Sequence, residues 1–220
     1  MDRYPDTETY RSLYQRFYEG RSTQDLLELG YPVRDKVILD LCGGDGRLAL
    51  KALQYGAKSI ILVDQEKDMT EASDPNIKVI VSSVEEFLRT WQFGDRDVYF
   101  DRVFCQQAVN YWLDEDCTSI ISKLLTENGI FVFNTFHNRP SEKPITKEYE
   151  INGLKFVEVS WLVGNIVHHV QIGEGMNSHT TKFGWLSPGY LMDMLSRYFD
   201  VAVKRDGNSS LYRCVKKSAD

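Results

Sequence analysis

The chain has 220 residues, enough for one domain with a full core and an appended subdomain. Its formal net charge of −6, from 26 Lys and Arg against 32 Asp and Glu, argues against nucleic acid as the partner, because phosphates call for a basic face. No apolar run approaches the roughly 20 residues that cross a membrane, and the polar start MDRYPDTETYR is unlike a signal or transit peptide, so a cytoplasmic protein without a membrane partner is expected.

Residues 7–19, TETYRSLYQRFYE, predict a helix with Thr7 as its cap and Tyr10, Leu13, Tyr14, Phe17 and Tyr18 on one aromatic stripe. The stripe is either core packing or the inner face of a lid. The lid reading makes residues 1–30 an N-terminal helical lid and Tyr14 and Tyr18 substrate contacts. Gly20 ends this helix, and Ser22–Leu29 forms a second, closed by Gly30 and Pro32.

Val37–Leu41 predicts the first strand, followed by a glycine-rich turn and a helix over Arg47–Tyr55. Further strands are expected at Ser59–Val63, Ile77–Val81, Phe100–Cys105 and Ile130–Asn134. Helices are expected at about Lys67–Ser73, Val84–Trp91 and Asp114–Thr126, with a polar loop at Gly94–Asp97. Short, continuously apolar strands alternating with helices predict an α/β fold with a doubly wound, mostly parallel sheet.

The pattern changes after His137. Asn138–Lys147 is polar, and from about Tyr149 to Trp185 the period becomes two, with turn signals at Asn152-Gly153, Gly164-Asn165 and Gly173–Gly175. An antiparallel sheet of three or four strands is expected at 138–186, inserted after strand five of a single domain. Pro188–Phe199 reads as an amphipathic helix, and Asp200–Val203 and Leu211–Val215 as two last strands joined at Asp206–Asn208. Cys42, Cys105, Cys117 and Cys214 have no C-x-x-C spacing, so free thiols and no zinc site are expected.

Two readings compete for the stretch VILDLCGGDGR. Gly44 to Ala49 satisfies G-x-G-x-x-A, and Asp64 lies at about the right distance to hold a ribose, as in a dinucleotide-binding oxidoreductase. A pyrophosphate, however, needs a positive cradle, and here Asp40 and Asp45 flank its place. Those acids suit a ligand that carries an ammonium group and no phosphate.

Asp40-Leu41-Cys42-Gly43-Gly44-Asp45-Gly46 resembles the D-L-G-C-G-x-G turn of the class I S-adenosylmethionine (SAM)-dependent methyltransferases of small-molecule type, with Cys42 in place of the first glycine. The resemblance covers about residues 35–136 and the closing helix and strands. It implies a Rossmann-like methyltransferase fold, SAM as cofactor, and cofactor contacts from Asp40, Cys42, Gly44 and Gly46. It places the carboxylate that grips the ribose hydroxyls at Asp64, followed by Gln65 and Met69 in a D-x-x-x-x-M pattern. Ser83 and Val84 take the adenine-reading place, with serine for the usual acid or amide. Gln106 opens the loop that faces the methionine end.

Methyl transfer is an in-line displacement that needs positioning and a place for one proton. His137, just after strand five, is a candidate base or substrate contact. Asn110 and Tyr111 either position an acceptor or form an ordinary loop-to-helix junction. His168 and His169 are adjacent in a strand and point to opposite faces. Trp161, Phe183, Trp185 and Tyr18 are either walls for a small acceptor or core, and Trp185 is taken as a substrate contact. Gln106 and Asn134 stand where metal-dependent catechol-type relatives carry carboxylates, so no metal is expected. The D/N/S-P-P-Y/F motif of relatives that modify adenine or amides is absent. The expected function is metal-independent methylation of a small-molecule acceptor at O or N by a monomer or homodimer. The alternatives are an NAD-type Rossmann oxidoreductase and a non-catalytic SAM-fold binding or scaffold protein.

Overall fold

The computed structural model describes residues 21–66, 73–93, 98–151, 154–174 and 178–218. The expected helices at 7–19 and 67–73, the loop at 94–97, and Tyr14, Tyr18 and Met69 lie wholly or mainly outside them. The chain divides into two compact units, one formed by Gly20–His137 with Pro188–Asp220, the other containing Asn138–Ser187.

In the first unit α1 (Arg21–Leu29) precedes β1 (Val37–Leu41), α2 (Arg47–Gln54), β2 (Ser59–Asp64), β3 (Ile77–Val81), α3 (Val84–Phe93), β4 (Phe100–Cys105), α4 (Glu115–Leu124) and β5 (Leu125–Phe136). The second unit holds β6 (Ile145–Ile151), β7 (Leu154–Val163), β8 (Ile166–Gly173) and β9 (His179–Gly184). The chain returns to the first unit with α5 (Pro188–Leu195), β10 (Phe199–Asp206) and β11 (Ser209–Lys216). The large sheet has the order β10-β11-β5-β4-β1-β2-β3. Strands β1 to β5 run parallel, while β11 is antiparallel to both β5 and β10. The small sheet is antiparallel, in the order β6-β7-β8-β9. The doubly wound sheet and the antiparallel sheet are those the sequence predicts.

Several boundaries shift by a few residues, and three of the shifts have a visible cause. β5 begins at Leu125, directly after α4, because Leu125 already pairs with Phe100; the register then shifts so that Ile130 meets Arg102, and Asn128-Gly129 falls inside this irregular stretch. α4 starts one residue late because Asp114 is its cap, its side chain accepting from Cys117 N–H at 2.8 Å. α5 ends at Leu195, and the chain re-enters the sheet at Phe199.

The core is built from the parallel strands and the helices against them, and all four cysteines are free. Arg102 interrupts the apolar run of β4 for a physical reason. Its guanidinium donates to the carbonyls of Gly30 (2.5 Å) and Pro32 (3.0 Å), while Arg213 Nε donates to Leu29 O at 3.0 Å. Two cations from the sheet thus take the carbonyls at the C-terminal end of α1. In the small sheet His168 stacks on Trp161 (5.1 Å), and His169 turns to the other face, 3.6 Å from Glu158, as strand alternation requires.

Arg102→Met strands the Gly30 and Pro32 carbonyls and is expected to lower the urea-measured unfolding free energy by about 2–4 kcal/mol. Lys217→Ala, which removes a surface donor to Ser196 O, is expected to cost under about 0.5 kcal/mol. Equal losses contradict this account of Arg102.

Candidate active site

The strand order reverses at β1, between β2 and β4, which opens a crevice at the C-terminal ends of the parallel strands. Asp40 sits there, 1% exposed, and its Oδ2 has no hydrogen-bond partner among the described residues. Burial first, and then the charges of Asp64 and Asp45, push its carboxyl up to about 8. An unpaired buried oxygen is costly, so the site is built to be met by a donor or a cation.

The loop after β1 is shaped by close approach. Gly43 N–H donates to Val63 O at 3.1 Å, and a Cβ on Gly43 would lie 2.4 Å from Cγ of Leu62. Only glycine lets this backbone lie against β2. Cys42 precedes it at φ 55, in the left-handed region, where glycine is the easier occupant. Its thiol is held well above the ordinary value by a hydrogen bond with Cys105, then by burial. Gly46, at φ 80, starts α2 without a side-chain cap of its own. Asp45 fills that place instead: its Oδ1 accepts from Arg47 N–H at 3.2 Å, and its carboxylate pairs with the Arg47 guanidinium at 2.5–3.0 Å. This corrects the sequence reading of Asp45 as a second acid offered to the ligand. Its charge is answered within the loop, and it occupies the helix N-terminus that a diphosphate would need.

Asp64 ends β2. Its Oδ2 accepts from Gly44 N–H and its Oδ1 from Glu66 N–H, each at 2.9 Å. Burial raises its carboxyl, and the backbone donors of Glu66, Gly44 and Gln65 oppose that rise. Each oxygen keeps a lone pair for a further donor. Gln65 itself is exposed. Ser83 Oγ accepts from Glu86 N–H at 3.2 Å and so caps α3, which Val84 begins as a buried residue.

The loop after β4 is pinned from two sides. Gln106 Oε1 accepts from Thr23 Oγ1 at 3.1 Å, and Gln107, at φ 58, donates its N–H to Asn134 Oδ1 at 2.8 Å. Asn110 is buried in the short turn Val109–Tyr111, and its Oδ1 accepts from Thr135 Oγ1 at 2.5 Å. Its carbonyl is thus turned to the sheet, whereas Tyr111 is half-buried beside it. His137 is half-buried immediately after β5; its N–H donates to Asn208 O at 2.8 Å, and its Nδ1 lies 2.9 Å from Ser210 Oγ. The sequence reading did not single out Thr23, Thr135 or Ser210. Trp185, in the other unit, lies under the Arg139 guanidinium at 5.3 Å, and its buried indole N–H has no partner among the described residues. No group of three metal-ligating side chains exists among the described residues, and none of their helices is long and apolar enough to cross a membrane.

Residues 38–129 match the model of the methyltransferase-domain family. A search of curated protein sequences finds no match. Solved structures share the fold. An S-adenosylmethionine-dependent methyltransferase from Clostridium acetobutylicum is 14% identical with a TM-score of 0.68, covering 96% of this chain and 97% of its own. CalS10, an amino pentose methyltransferase from Micromonospora echinaspora solved with SAM bound, is 12% identical with a TM-score of 0.70, covering 96% and 95%. The PH0226 protein from Pyrococcus horikoshii is 19% identical with a TM-score of 0.66, covering 96% and 99%. The fold is therefore that of the Rossmann-like methyltransferases. By this domain match, over residues 38–129, and by the shared fold, the chain is similar to SAM-dependent methyltransferases.

Gly43→Ala is expected to weaken binding of S-adenosylhomocysteine (SAH) at least tenfold in calorimetry, because the new methyl meets Leu62. Adding Leu62→Ala, at about 3 kcal/mol of stability, is expected to restore part of that affinity. Full affinity in the single variant contradicts the close-approach argument.

Proposed function

We propose that the chain transfers the methyl group of SAM to an oxygen or nitrogen of a small molecule, without a metal ion. The observation that carries this reading is the pairing of an unpartnered buried oxygen on Asp40 with a helix N-terminus already filled by Asp45. A cation is welcome there and a phosphate is not. When bound, SAM supplies a methyl on a sulfonium, open to in-line attack.

The residues fit that group. Asp40 receives the ammonium, and the backbone of Cys42, Gly44 and Gly46 forms the cradle. Asp64 takes the ribose hydroxyls on the lone pairs that Gly44 and Glu66 leave, with Gln65 beside it. With the Ser83 hydroxyl engaged at the cap, the adenine edge is read by the backbone at Ser83 and Val84. Gln106 lies toward the methionine end. His137 accepts the acceptor's proton, Tyr111 orients the acceptor, and Asn110 fixes the loop that carries Tyr111. Tyr14, Tyr18 and Trp185 are proposed as apolar walls.

A metal-free reaction is supported by the two neutral amides at the ends of β4 and β5. Gln106 and Asn134 already accept hydrogen bonds and offer no charge to a hard cation. A small acceptor is supported by the amino pentose that CalS10 methylates. A monomer or homodimer in the cytoplasm is the corresponding proposal for assembly and location.

The assay is transfer of labelled methyl from SAM to a panel of amines and hydroxyl compounds, amino sugars included, with and without EDTA. Incorporation unaffected by EDTA is expected. Stabilisation by NAD(H) and not by SAM points to the oxidoreductase, and binding of SAM without any transfer points to the scaffold. Asp64→Ala is expected to weaken SAH binding at least thirtyfold and Glu66→Ala less than twofold; equal effects contradict the ribose assignment.

Asp40 also gives a pH signature. Its carboxyl is at about 8 in the free fold against an ordinary 3.8, so the fold binds more protons than the unfolded chain between those values. That part of the stability is complete below about 4 and is lost as pH rises through about 8. At pH 7 the acid is neutral, and an arriving ammonium favours its charged form. Calorimetry in buffers of different ionisation enthalpy is expected to show release of close to one proton on SAH binding, and Asp40→Asn is expected to show none. Release that persists in Asp40→Asn overturns the ammonium assignment.

A further inference from the structure

The β5–β11 ladder is graded along its length. Phe133 and Tyr212 pair in register and stack at 4.7 Å with their rings 4° apart. One step toward the crevice on the same face, Thr135 pairs with Ser210. One step further, His137 N–H is bonded to Asn208 O. An apolar layer thus gives way to a layer of two hydroxyls, and then to an imidazole at the sheet edge.

Both hydroxyls of that layer are committed to residues around the proposed site. The Thr135 hydroxyl donates to Asn110 Oδ1 at 2.5 Å, and Ser210 Oγ lies 2.9 Å from His137 Nδ1. Ser210 is 0% exposed, so water does not compete for its hydroxyl. Tyr212, two residues along on the same face, shares a side-chain hydrogen bond with Ser210 that opposes the burial-driven rise of its phenol, as a proton donated by Ser210 does. The lone pairs of Ser210 are then left for Nδ1. His137 is held at two points, through its backbone N–H and its Nδ1, and its Nε2 has no partner among the described residues.

We infer that Ser210 is a positioning residue for methyl transfer: its buried hydroxyl accepts Nδ1–H of His137 and so leaves Nε2 as the nitrogen that receives the acceptor's proton. The inference rests on the reading of His137 as the base. In the reaction the acceptor's lone pair forms the new bond to the methyl carbon, the sulfur keeps the electron pair of the broken C–S bond, and the acceptor's proton passes to Nε2 and then to solvent. Ser210 suits both states of the ring, because the imidazolium also donates through Nδ1 and no heavy atom needs to move.

Two-bond 1H–15N correlation spectra of the neutral imidazoles test this without an acceptor, with His137→Gln assigning the signal. A single tautomer protonated at Nδ1 is expected in the native protein and a mixture in Ser210→Ala, with SAH affinity unchanged within twofold. Ser210→Thr, which keeps the hydroxyl, is expected to restore the single tautomer. In the labelled-SAM assay Ser210→Ala is expected to lower kcat ten- to hundredfold at an unchanged KM for SAM. An Nδ1 without its proton in the native protein, or the same tautomer in Ser210→Ala, overturns the proposal. A changed tautomer with unchanged kcat overturns it while His137 still stands as the base. Full kcat in His137→Gln overturns both readings.

Discussion

Everything at the crevice answers to one buried carboxyl oxygen with nothing to bond. Three acids lie close together at the tips of β1 and β2, and the fold deals with each differently. Asp45 is neutralised by Arg47, and Asp64 spreads its charge over two backbone N–H groups. Asp40 has neither remedy and rests as a neutral acid at neutral pH. Leaving a polar atom in that state costs stability, a cost that binding sites commonly bear and that a cationic ligand removes.

That constraint explains the geometry around it. The glycine loop must press against β2 so that Gly44 can donate to Asp64, and the contact of Gly43 with Leu62 is the consequence. Asp45 accepts the first N–H of α2 from Arg47, which sets an acid at the positive end of that helix. The same G-x-G-x-x-A spelling that serves a diphosphate elsewhere here carries an acid in the cradle, which disfavours one. At the other side of the crevice the amides Gln106 and Asn134 and the hydroxyls Thr135 and Ser210 hold backbone and side chains in place without adding charge.

Local patterning made much of this legible. The parallel strands are short apolar runs, and the antiparallel strands alternate, so both sheets could be read from periodicity. Asp40 and Asp64 could be placed because each closes an apolar run. Less legible were the features set by competition or by distance along the chain. Asp45 was read as facing the ligand, because nothing in its spelling shows that an arginine two residues on will claim it. The side-chain role of Ser83 as a helix cap is spelled with Glu86 three residues on, but it shows only once the strand before it is placed. The β5–β11 register joins residues about 75 apart, so no local pattern connects Ser210 with His137. Arg102 was passed over, yet a charge inside an apolar strand was the visible sign of the carbonyls it holds at the end of α1.

A crystal structure with SAH bound tests the central claim most directly. The account predicts the amino group of the ligand on Asp40 Oδ2 and the ribose hydroxyls on Asp64, with the Asp45–Arg47 pair intact. An Asp40 carboxyl that stays unpartnered beside the bound ligand, or an Asp45 displaced from the start of α2 to make room for it, contradicts the account.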